Sequence, residues 1–127
     1  MQDEPRPDEI LNRVANFLKG PATRESGPHI SFQLRVAANA TEICQRQLTL
    51  APQADADELE RLRALLKTDG DLMALNRELA MRIRDGRLTL ESPGLADHLW
   101  ATTLAKLAVD QPNYSGYRAA LAERGEA

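Results

Sequence analysis

The stretch SFQLRVAANATEICQRQLTL, residues 31–50, decides the fold class. When each residue is advanced by about 100°, Phe32, Val36, Ala37, Ala40, Ile43, Cys44 and Leu48 gather on one broad apolar arc, a helical period rather than a strand's alternation. The spacing predicts a helix from Ser31 to Leu50, the longest and most central of the chain. Cys44 falls on the arc and reads as a small core hydrophobe rather than a nucleophile.

Breaks on either side of this stretch cut the chain into further helices. Gly20, Pro21, Gly27 and Pro28 predict a loop over 20–28, with no phosphate-loop pattern in it. Before it, Pro7 suits a first helical turn, Asp8 and Glu9 complement the helix dipole, and Ile10, Leu11, Val14, Phe17 and Leu18 recur at helical spacing. After Pro52, the Asp55 to Glu58 spacing resembles a capping box and opens a short helix carrying Leu59, Leu62, Leu65 and Leu66, stopped at Asp69 and Gly70. Residues 71–85 place Leu72, Leu75, Leu79 and Ile83 on one stripe, and Gly86 stands where a left-handed cap belongs. Residues 86–92 are a linker. Pro93 opens a helix to about Val109, Pro112 closes it, and Ser115 to about Glu123 forms the last one, anchored by Tyr117 and Leu121. Trp100, Tyr114 and Tyr117 are expected to pack between these last two helices. Leu11-Asn12-Arg13 recurs as Leu75-Asn76-Arg77, but the match does not extend and no repeat array follows.

The expectation is an all-α, single-domain bundle of five or six antiparallel helices over 1–127, with a flexible start at 1–6 and a frayed tail at 124–127. Composition agrees: 127 residues, 43% hydrophobic and 28% charged, suit one folded globule. A net charge of −3 offers no general positive field for phosphate backbones, so nucleic acid is not expected as a partner. The N-terminus lacks the basic, then apolar, start of a signal peptide, and no run nears the roughly 20 apolar residues of a membrane span. The protein is expected in the cytoplasm, off the membrane. A lone cysteine and the separated His29 and His98 supply neither a disulfide nor a zinc pair, and no cofactor motif is found. Both histidines are expected to be ordinary exposed residues.

With no catalytic motif, the informative positions are polar residues near apolar faces. Arg35, Asn39, Glu42 and Arg46 form one stripe, either a solvated edge with a Glu42–Arg46 pair or a recognition network. Asn76 falls within the stripe of Leu72, Leu79 and Ile83, where a bare amide would cost about 1 to 3 kcal/mol, so a neighbouring segment or a ligand must bond it. Arg82 can pair with Glu78. Thr103, Lys106 and Asp110 share a face, and Lys106 is either an anion anchor or a side chain reaching Asp110.

The segments Arg35–Ala40, Leu75–Gly86 and Lys106–Ser115 resemble a small bacterial all-helical domain family of unknown function, associated with phosphotransferase-like proteins and acyl-CoA dehydrogenases. The resemblance spans most of the chain. It implies a bacterial protein working beside one of those enzymes, and it carries no established site residues. Together these readings lead to the expectation of a non-catalytic interaction module that binds such a partner or pairs with itself. The alternative is a small-ligand protein holding an acyl or phosphorylated group through Arg35, Asn39, Asn76 and Lys106. The polar set to be located is therefore Arg35, Asn39, Asn76, Arg82, Lys106 and Asp110.

Overall fold

In a computed structural model, which describes residues 6–125, the chain forms five α-helices: α1 (Pro7–Phe17), α2 (Pro28–Leu66), α3 (Leu72–Arg84), α4 (Leu95–Asp110) and α5 (Ser115–Arg124). A π-helical turn, Leu18–Ala22, follows α1. The chain is all-α, with no strand among the described residues, as the periodicity predicts. Its contacts gather into two compact units, Met1–Leu50 and Ala51–Ala127. Of the flexible start and frayed tail expected at the ends, residues 1–5 and 126–127 lie outside the described residues.

In the first unit, helix continues into the expected loop. Pro21 cannot donate to the preceding turn, and the backbone widens there into the π turn, while the Thr23 hydroxyl donates to the Leu18 carbonyl. Only residues 25–27 are non-helical before Pro28 opens α2 as its first residue. Buried Ser31 then ties the turn down: its hydroxyl stands 3.1 Å from the carbonyl of Thr23 and 3.1 Å from that of Ser26. Lys19 pairs with Glu42, and Arg6, Pro7 and Asp8 share a surface pocket with Leu48 and Thr49, so α1 runs antiparallel to this part of α2. Two small residues of this unit, Ala15 on α1 and Ala38 on α2, are fully buried.

The apolar arc of residues 31–50 is not what α1 covers. Phe32 is 60% and Val36 54% exposed, and Cys44 is exposed as well, which corrects its expected place in the core. Periodicity finds an apolar face but does not say which element lies against it. Here the packed side is the one marked by Ser31 and Ala38.

The helices expected over 31–50 and 55–66 are one helix. Pro52 removes the bond that would reach the Leu48 carbonyl, yet Leu48, Thr49, Leu50 and Pro52 are all exposed, so water can satisfy that carbonyl. Thr49 donates its hydroxyl to the Gln45 carbonyl at 3.1 Å, and Gln53 donates to Asp57 at 2.7 Å within the continuing helix. The Asp55 to Glu58 spacing is therefore mid-helix, not a cap.

The second unit has a leucine core. Leu62, Leu66, Leu75, Leu79 and Leu95 are buried together, and Leu59, Leu65, Leu72 and Leu88 pack around them. Asp71 caps α3 by accepting from the Ala74 amide at 2.8 Å. Gly86 ends α3 at φ +73°, the left-handed cap read from the sequence. Pro93 does not open α4: Gly94 precedes the first helical residue at φ +82°, a backbone that favours glycine, and Leu95 begins the helix. Trp100 and Tyr114 are 54% and 53% exposed, so they do not form the packed aromatic contact expected near the C-terminal helices.

Candidate functional site

The residues singled out from the sequence take different positions. Arg35 and Asn39 are exposed on α2, and on the same helix Glu42 faces Arg46 at 3.9 Å. In the second unit, part-buried Asn76 donates its amide to the Glu58 carboxylate at 2.7 Å and to the Leu72 carbonyl at 3.1 Å. That bond joins α3 to α2. Arg82 donates through Nε to Glu78 at 2.6 Å and through its terminal nitrogen to the Leu66 carbonyl at 3.0 Å. It thereby supplies a donor to the C-terminal end of α2, whose last carbonyls have no helical partner. Lys106 and Asp110 are both exposed, and among the described residues no ion pair joins them. Thr103 donates its hydroxyl back to the Leu99 carbonyl at 2.7 Å.

A different pair lies beside a pocket. His98, expected at the surface, is only 3% exposed, and its Nδ1 has no hydrogen-bond partner among the described residues; neither has the buried Nε of Arg61. The Arg61 terminal nitrogen reaches the Thr102 hydroxyl at 3.5 Å. Both side chains line a pocket of about 460 Å³ with Ala64, Leu65, Pro93, Gly94 and Asp97. Burial holds the His98 pKa below 6.5, the Arg61 charge lowers it further, and Glu58 opposes them. His98 is thus kept neutral at pH 7. Its burial was faintly legible: it stands three residues after Leu95, on the same side of α4. The apolar residues of α4, Leu95, Leu99, Trp100, Leu104 and Leu107, are spread around the helix, so no single inner face stood out.

A protein-family profile described as a domain of unknown function, DUF6285, matches residues 24–114. The chain belongs to the DUF6285 family. No curated protein and no solved structure shows a significant match to it. The DUF6285 match holds Arg61 and His98 as well as Arg35, Asn39, Asn76, Arg82, Lys106 and Asp110; it begins after the π turn and ends at Tyr114, just before α5. Among the described residues of this DUF6285 chain, no helix is long and apolar enough to cross a membrane.

Proposed function

We propose that the chain is a helical interaction module, a non-catalytic partner of a phosphotransferase-like or acyl-CoA-metabolising enzyme in the bacterial cytoplasm. The observation that supports this reading is the uncovered apolar surface of the first unit. Ile30, Phe32, Val36 and Leu48 on α2, and Val14 and Phe17 on α1, are each 43% to 60% exposed, while among the described residues of the same unit those buried are Ala15, Ser31 and Ala38. Exposed apolar side chains repeated along one helix face are the kind of surface a docking partner covers. Phe32 and Val36 are one helical turn apart, the spacing at which an apolar helix face engages a groove. Resemblance supplies the two enzyme classes, and exposed Arg35 and Asn39 flank the arc as polar rim residues.

The test is capture of purified enzymes by the tagged full chain. One of the two, a phosphotransferase-like protein or an acyl-CoA dehydrogenase from the same bacterium, should be retained, and a Phe32→Ser, Val36→Ser double variant should lose it. If neither enzyme binds and sedimentation finds a monomer at every concentration, the reading fails. A concentration-dependent dimer abolished by the same double variant would instead give the face to a second copy.

A further inference from the structure

We propose that the pocket beside Arg61 and His98 is a binding site for a small carboxylate with a short apolar chain. The proposal does not depend on the docking role, because all its residues lie in the second unit and outside the exposed arc. Three features meet there. The Arg61 Nε–H can only donate, is buried, and has no acceptor among the described residues. His98 is 97% out of solvent by its 3% exposure, lines the pocket, and has a free Nδ1, which in the Nδ1–H tautomer is a second donor. The third feature is the start of α4, a helix of 16 residues, where no side chain caps the first turn and Pro93, Gly94 and Asp97 border the same pocket.

Two side-chain donors and a helix N-terminus call for an acceptor bearing negative charge. A carboxylate offers two oxygens, enough to take a bond from Arg61 and one from His98 at once. The remaining wall, Ala64, Leu65, Pro93 and Gly94, is apolar and suits a short hydrocarbon chain rather than a hydrated inorganic anion. Two carboxylates lie near. Asp97 is exposed, so solvent screens it, and Glu58 is engaged by the Asn76 amide. Neither bonds the Arg61 Nε–H or the His98 Nδ1, which stay without a partner among the described residues.

Butyrate, inorganic phosphate and butylamine, each titrated into the isotope-labelled full chain, test the assignment. Butyrate should shift the His98 ring and Arg61 Nε resonances in a saturable way, with phosphate and butylamine at least about tenfold weaker. Arg61→Met should weaken butyrate about tenfold or more, the loss expected for a charge-assisted bond. Arg61→Lys keeps the charge but lacks the Nε–H, and it should weaken butyrate as well if that donor holds the ligand. A helical circular dichroism spectrum checks that each variant folds, and if Arg61→Met does not, the lysine variant decides. The proposal is overturned if butyrate leaves His98 and Arg61 unmoved, if phosphate binds as tightly as butyrate, or if a folded Arg61 variant binds butyrate like the parent.

Discussion

Residues up to Leu50 and residues from Ala51 onward are built from the same helix-forming stock, yet only the second set gathers large apolar side chains into a buried cluster. The second unit buries six leucines, five of them in one cluster, whereas the apolar residues buried among those described in the first are two alanines, with Phe17, Phe32 and Val36 more than half exposed. Burying a leucine contributes roughly 1.5 to 3 kcal/mol, and an alanine much less, so the second unit holds most of the chain's hydrophobic stabilisation. The difference teaches that an apolar helix face is a demand for cover, which the second unit meets with a leucine cluster even though Met73, Leu90 and Trp100 there stay exposed.

The largest effect should follow from breaking the well-covered side. Leu62 is fully buried, and Leu62→Ala should cost about 2 to 5 kcal/mol in urea melts. If it costs less than about 1 kcal/mol, the leucine cluster is not the main source of stability and the contrast collapses. The first unit is open to the opposite manipulation. Ala38 is fully buried, so Ala38→Leu should overfill its surroundings and cost about 1 to 3 kcal/mol. Amide exchange should show loss of protection concentrated in residues 7–50 rather than in α3 and α4.

Much of this was legible in residue order. Of the stripe Leu72, Leu75, Leu79 and Ile83 the three leucines pack as expected while Ile83 is 39% exposed, and the Gly86 cap and the Glu78–Arg82 pair form as period and local propensity predict. What escaped were outcomes set by competition between neighbours. Pro52 normally stops a helix, but at an exposed position the lost bond passes to water and the helix runs on. The 31–50 arc was correctly found as apolar and wrongly turned inward, because sequence shows no partner. His98 escaped because apolar residues are distributed around much of α4, so its buried side could not be phased from pattern alone.

Polar links in the second unit should matter less than its leucines. Asn76→Ala removes the donor that the Glu58 carboxylate accepts across two helices, and it should destabilise by about 1 to 3 kcal/mol. A change within about 0.5 kcal/mol would mean that water replaces the amide without cost. His98 gives a smaller, pH-dependent effect. Its folded pKa is lowered from 6.5, so the unfolded chain takes up a proton first as pH falls. Stability should be full above pH 6.5 and decline below it until the folded histidine also protonates. In His98→Gln that part of the pH dependence should vanish, and an unchanged pH profile would show that His98 is not the group responsible.

The smallest stability change should come from the most conspicuous apolar residues. Phe32 and Val36 together would be a severe loss in a core, yet at 60% and 54% exposure they bury little against the rest of the chain. The Phe32→Ser, Val36→Ser variant should therefore melt within about 0.5 kcal/mol of the parent, the range of ordinary surface substitutions. Removing exposed apolar area also lessens non-specific association, so the variant should stay dispersed at concentrations where the parent self-associates. The two measurements separate two explanations of the arc. A cost above about 2 kcal/mol would mean that these side chains pack within the chain in solution, and the contrast between the units would lose its basis. Near-neutral stability combined with loss of enzyme capture would leave Phe32 and Val36 with a single role, which is contact with another protein.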